Sequence, residues 1–439
     1  MTSIPQELLD RVNAAVDARR DEIVAFAAGL IQQPSITPDL EPNDAAERPA
    51  QEWLRDRLAA FGSFDEIDMW EAAPSRPNLV ATRTGAGGGR SLTWASHIDV
   101  VPVTAEQAEQ WEGAGPFSGE VRDGWLWGRG ASDMKGAIAA YTMAAQILHD
   151  CGVRLKGDLK LAQAVGEEAG RRDIGCNTML TRGHRADLAI FPEPSNFKVY
   201  PTIKGELYFK LTVPGKSTHI CNRQLVAQPL PHGVERPGVS AIDNMLKYQL
   251  AILEMEKQWN LWRTSPLVPP GGMFININTM RAGTSLTSVP DSCEATGSLL
   301  FNPELSGEEV MAEIRACIDR VTQADYWLRE HPPVLDLPLD AASDAPWLKE
   351  PVNLPWDHPG VTAVVEAAAA VLGERPSVEL SPFVCDANFW FPQGQPCLVF
   401  GLGDTSWGIH GTNEKLPVED LITGVKAFAA VTMEWCGIA

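Results

Sequence analysis

The hydrophobic pattern changes texture twice along the chain. In the first 36 residues Val12, Val16, Ile23, Phe26, Leu30 and Ile31 recur near helical spacing in a charged stretch. That spacing predicts an amphipathic helix. From about 77 to 200, short apolar runs alternate with helical patterns. Asn78–Thr82, Ser91–Ser96, Leu159–Val165 and Ala186–Phe191 read as strands, and Ala131–Asp150, apolar and rich in small residues, reads as a helix. Strands interleaved with helices predict a sheet covered on both faces, with ligands gathered at the carboxyl ends of its strands.

Near 202 the texture becomes that of a half-exposed sheet. Leu207, Phe209, Leu211 and Val213 alternate with polar residues, and Met273–Met280 and Cys293–Phe301 read as further strands. Ser240–Trp259 and Gly307–Val321 read as helices, and the Pro/Gly-rich stretches 228–237 and 264–272 as loops. After about 350 a helix (Val361–Val371), a strand (Cys397–Gly401) and a last helix (Val418–Trp435) restore the first texture. The expected fold class is α/β: a split domain (1–202 and 351–439) with a mixed, mainly parallel sheet flanked by helices. An α+β domain (203–350) is inserted into it.

Composition narrows the function without naming it. A length of 439 residues calls for more than one core, and 44% hydrophobic with 21% charged residues is ordinary for a globular chain. The formal charge of −21 argues against nucleic acid or an anionic membrane as partner. No apolar run is long enough for a membrane span. The N-terminus lacks the pattern of a signal peptide. Eight scattered cysteines without a CxxC pair match neither a zinc ribbon nor a disulfide framework. The expected location is the cytoplasm.

Candidate chemistry sits where the strands end. In SHIDVVP (96–102), His97 and Asp99 lie two apart, so both point to one side of an extended chain. A metal-bound imidazole needs a carboxylate or carbonyl on its other nitrogen. GRGASDMKG (128–136) places Asp133 between a strand and a small-residue helix, and AVGEEAG (164–170) ends a strand with Glu167 and Glu168. FPEPS (191–195) adds Glu193, and GIHGTNE (408–414) adds His410. Each alone has an ordinary explanation as a cap, a turn or a surface residue. Two histidines, an aspartate and two glutamates together are what a pair of divalent ions needs, and mixed N/O ligation suits Zn²⁺, Mn²⁺ or Co²⁺ better than Ca²⁺.

These stretches, in this order, resemble the M20 family of metallopeptidases and deacylases, over about 78–195 and 380–435. The resemblance implies that Asp133 bridges two metal ions, with His97 and Glu193 completing one shell and Glu168 and His410 the other. It implies that Asp99 orients His97 and that the Asp133–Met134 peptide is cis. Glu167 becomes the general base for a metal-activated water attacking an amide carbonyl. The insert becomes the family's lid or dimerisation domain. Its GKSTHI supplies His219, which reaches a partner subunit's site and stabilises the oxyanion. A homodimer acting on a small molecule is therefore expected.

The chain also departs from the family. Thr287 and Leu300 stand where the lid often carries an asparagine and an arginine, and Asn388 stands where many deacylases have arginine. Arginine forks hold carboxylates bidentately, so a plain α-carboxylated substrate is in doubt. Lys204, Arg223 and Arg281 are candidate compensating charges. Phe301, Phe383, Phe389, Trp390 and Trp407 are mostly core formers, with an apolar substrate face as the alternative. The expected activity is hydrolysis of an amide C–N bond in a small N-acyl or aryl-amide compound. Release of ammonia from an aromatic amine at the same site is one alternative. A non-catalytic binding relative and an aminopeptidase are the others.

Overall fold

Leu92–His97 is buried at every position, as a strand covered on both faces must be. The computed structural model describes residues 3–222, 236–263, 265, 268, 271–339 and 348–439. Most of 228–237, several residues of 264–272, and Arg223 fall outside them. The chain divides into two compact units, Met1–Ile203 with Val352–Ala439, and Lys204–Pro351.

The first unit is built on a nine-stranded mixed sheet. Its centre is parallel: Leu159–Ala164, Leu92–His97, Leu188–Phe191 and Cys397–Phe400 run side by side. Antiparallel strands flank that block. Arg76–Arg83 pairs with Leu159–Ala164 on one side, and Val199–Ile203 pairs with Cys397–Phe400 on the other. The central strands feed two cores in alternation. Trp94, Leu161, Ile190 and Leu398 enter one, and Ala95, Ala162, Ala189 and Val399 the other. A period of two with both faces covered produces this division. The larger core is roofed by helices that include Gly136–Asp150 and Val418–Cys436, where Trp94 packs 4.5 Å from Phe428 and donates to Thr432 Oγ1 at 3.1 Å.

Two expectations need correction. The N-terminal pattern forms two helices, Gln6–Ala18 and Arg20–Ile31, broken at Arg19 (φ −107°, ψ 19°). All six apolar positions are still buried, because the pattern resumes in phase beyond the break. The helix expected from Ala131 is regular only from Gly136. Asp133 and Met134 are non-helical, and the peptide between them is cis. Small-residue composition does not register such a turn. Gly136 is needed there, since a Cβ would lie 2.4 Å from the Ala131 carbonyl oxygen.

The second unit has a five-stranded antiparallel sheet centred on Gly205–Pro214 and Ser292–Phe301. Leu207, Phe209, Leu211 and Val213 face a core with Ala295, Leu299 and Phe301, under the helices Ala241–Trp262 and Gly307–Ala324. Ser240 caps the first helix. Ser306 and Glu309 form a reciprocal capping box on the second. Phe274–Ala282 ends the sheet, with only Ser292–Phe301 beside it among the described residues.

Candidate metal centre

Parallel strands deliver their carboxyl ends to the same edge of a sheet. His97 closes one central strand, Glu193 follows Leu188–Phe191, and Glu167 and Glu168 follow Leu159–Ala164 after a tight turn at Gly166 (φ +77°). Asp133 comes from the irregular turn before the Gly136 helix, and His410 from a late loop where its own φ is +59°.

The side chains form two lobes that meet at Asp133. On one side His97 Nε2 is 3.2 Å from Asp133 Oδ1 and 3.9 Å from Glu193 Oε2. On the other, His410 Nε2 is 3.5 Å from Asp133 Oδ2 and 2.9 Å from Glu168 Oε2. His97, Asp133 and Glu168 each offer a ligand atom within 4.8 Å of one another. His97 is buried, whereas the His410 side chain is 52% exposed.

Hydrogen-bond chemistry tests whether this set fits metal. His97 Nδ1 lies 2.9 Å from the Asp99 carbonyl oxygen, which can only accept, so Nδ1 carries the proton. In the neutral ring Nε2 then turns a lone pair toward Asp133 Oδ1. That oxygen is buried and has no hydrogen-bond partner among the described residues. Against the opposing effect of burial, Asp133, Glu193 and Asp99 push His97 well above its ordinary range, so the facing atoms call for positive charge, a proton on Nε2 or a metal ion, and the donor set fits a metal ion. Charge points the same way. Burial pushes the Glu193 carboxyl well above its ordinary range, with Asp133 and Glu167 adding to the shift and His97 opposing it. Glu168 is pushed up to about 7 by burial and by Asp133. His410 is pushed up to about 10 by its hydrogen bonds to Asp133 and Glu168.

Asp99 meets His97 through its backbone. Its carbonyl, not its carboxylate, holds His97; the nearer carboxylate oxygen is 3.7 Å from Nδ1. The carboxylate accepts the backbone N–H of Glu167 at 3.2 Å and of Glu168 at 3.1 Å, so it sets the turn that carries both glutamates. His219 belongs to the other unit. It is exposed on the two-residue strand Thr218–His219, which pairs with Ser288–Val289.

The departures have local explanations. Asn388 is fully buried, and its Oδ1 accepts the Cys385 N–H at 3.1 Å, closing the turn into the helix Ala387–Trp390. Leu300 lies on the half-exposed face of the second sheet, opposite Glu206 and Phe274. Thr287 is exposed beside Ser285. Lys204 donates to the Gly272 carbonyl at 2.7 Å, and Arg281 is exposed. Phe301, Phe389 and Trp390 are core residues. Phe383 and Trp407 are half-buried, edge-on to Tyr200 and Trp125.

Two residues within the quoted motifs were not singled out. Arg129 and Glu414 form a fully buried pair, with Nη1 2.7 Å from Oε2, packed against the Asp133 turn. A charged residue inside an otherwise Gly-rich motif was the available signal.

Comparison with known proteins adds four findings. The model of peptidase family M20/M25/M40 matches residues 93–434. The chain is 30% identical over 438 residues to N-formyl-4-amino-5-aminomethyl-2-methylpyrimidine deformylase of Halalkalibacterium halodurans, covering 99% of this chain and 98% of the relative. It is 30% identical to succinyl-diaminopimelate desuccinylase of Methylorubrum populi, covering 91% of this chain and 94% of the relative. The fold is similar to that of human carnosine dipeptidase 1, with a TM-score of 0.70 at 17% identity, covering 98% of this chain and 99% of that one.

Proposed function

Because this chain belongs to peptidase family M20/M25/M40 and is an amide-cleaving hydrolase, we propose that it removes a formyl or similarly short acyl group from an amine on a heteroaromatic frame. The observation that carries the substrate class is the end-to-end likeness to a pyrimidine deformylase. The inward-turned Asn388 and the apolar Leu300 support it, because neither offers the charged fork that a substrate α-carboxylate needs. Both curated relatives cleave amides by name, so ammonia release is not favoured.

His97, Glu193 and Asp133 would hold one divalent ion, and Asp133, Glu168 and His410 would hold a second. Zn²⁺, Mn²⁺ and Co²⁺ suit these donors. Ions bound there supply Lewis acidity and bring a water's pKa towards about 7. Glu167, fixed by the Asp99 carboxylate beside Glu168, takes the proton of the attacking water. It then passes that proton to the amine nitrogen as the C–N bond breaks. The acid keeps the water's oxygen, and the amine leaves neutral.

His219 stabilises the oxyanion from a partner subunit. Its Nδ1 accepts the Cys221 N–H at 3.2 Å, so the neutral ring presents Nε2–H as a donor. The second unit is the lid, and it pairs with a second copy of this chain. The outer edge of Phe274–Ala282, beside which no further strand lies among the described residues, offers backbone for strand pairing. The exposed stripe Ile242, Leu246, Leu250 and Leu253 offers apolar area. All eight cysteines are free thiols, which suits a reducing cytoplasm.

A split substrate panel tests the reading. N-formyl and N-acetyl aminomethyl-heteroaromatics are compared with N-succinyl and N-acetyl amino acids, and acid, amine and ammonia are assayed together. The expected result is acid and amine from the heteroaromatic half, with kcat/KM on the order of 100-fold higher than on the amino acids. Turnover confined to the α-carboxylated half contradicts the proposal.

A further inference from the structure

The two histidines of the cradle are held in unequal ways. His97 ends a central strand and is packed on all sides. His410 sits on a loop, half exposed, and among the described residues its backbone carbonyl accepts only a side-chain amide, Gln107 Nε2 at 3.2 Å. Something else must register the His410 loop against Asp133, because a ligand set tolerates little drift.

The Arg129–Glu414 pair lies at that junction. Glu414 is four residues after His410, and its carboxylate accepts four N–H groups from the Asp133 side. Oε2 takes Arg129 Nη1 at 2.7 Å and Gly130 N at 3.0 Å, while Oε1 takes Ser132 N and Asp133 N, both at 3.0 Å. Arg129 reaches back across the junction, with Nη2 donating to the Gly411 carbonyl at 2.9 Å. The backbone closes the circuit, since Gly128 N donates to the Glu414 carbonyl at 2.9 Å. Both side chains are 1% exposed.

We infer that Glu414, with Arg129, is a positioning residue that locks the His410 loop to the metal-bridging Asp133 and so sets the affinity of the ion on the His410 side far more than that of the other. Glu414 touches none of the ligand side-chain atoms in these contacts. It acts through the backbone of Asp133 and the register of the loop. A carboxylate is required, because each oxygen faces two donors. Glutamine in its place turns an NH₂ toward one of those donor pairs.

The inference rests on the two-ion reading of the same site, and cobalt titration of chelated protein separates the two. Uptake is followed by calorimetry and by the d–d absorption of bound Co²⁺. Wild type takes up two ions. Glu414→Gln weakens one ion about 10- to 100-fold, the loss typical when a group supporting a ligand is removed, and leaves the other within about threefold. Excess Co²⁺ then restores kcat. The double variant R129M/E414Q removes both buried charges, keeps the fold where a lone charge fails, and shows the same selective loss. R129K keeps both charges but gives up one of its two prongs, and shows a smaller loss at the same ion. Unchanged affinities in folded variants overturn the inference, as does equal weakening of both ions. A wild-type protein that takes up no cobalt overturns it together with the two-ion reading.

Discussion

Two clusters of buried charge lie in the same unit, and they are completed differently. Around Arg76 the protein supplies both signs. Its Nε and Nη2 meet Glu47 at 3.0 and 2.7 Å, Nη1 pairs with Asp39, and Nη2 also reaches Thr37 Oγ1 at 3.0 Å. Around Asp133 it supplies three carboxylates and two imidazoles, with no arginine or lysine among them. Burying an uncompensated charge is costly. A cluster closed by its own arginine is therefore structural, whereas carboxylates gathered around imidazoles, which are themselves metal ligands, are shaped to receive a metal ion. The Arg129–Glu414 pair is of the first kind and stands next to the second.

The sharpest way to break this comparison is to remove the ions. Chelation should abolish amide hydrolysis and lower the melting temperature, and added metal should restore both in a concentration-dependent way. A melting temperature unmoved by metal contradicts it. Next in size, Glu167→Gln should cut kcat by about 10²- to 10⁴-fold with metal content unchanged. Activity above a tenth of wild type removes Glu167 from the proton path. Smaller again, Arg76→Met should destabilise the fold by about 3–5 kcal/mol in urea unfolding by stranding Glu47. Adding Glu47→Gln should recover most of that loss. The smallest effect belongs to a surface pair. Lys426 meets Asp17 at 2.7 Å, with Asp17 58% exposed, and Lys426→Ala should change stability by less than about 0.5 kcal/mol.

Much of the cradle was legible because strand ends and motif order mark it. His97, Glu168 and Glu193 follow predicted strands, and the parallel centre of the sheet brings those ends together. What stayed hidden is carried by backbone N–H groups, which have no sequence signature. The Asp99 carboxylate on the Glu167–Glu168 turn is one case, and Glu414 on the Asp133 turn is another. Helical spacing also runs unbroken past Arg19, so the break there was invisible. Asn388 looked like a lost ligand, and its burial shows that the position now serves a turn. The strands Glu66–Ala73 and Val199–Ile203 escaped notice. The first is half-exposed and weakly alternating, and the second runs directly into the texture change near 202.

The Asp133 cluster is open to metal ions and the Arg76 cluster is closed. Anomalous diffraction from Zn²⁺-loaded crystals tests it directly. Two peaks are expected flanking Asp133, one beside His97 and Glu193 and one beside Glu168 and His410, with none near Arg76. A crystal with no peak at Asp133, or with its zinc elsewhere, contradicts it.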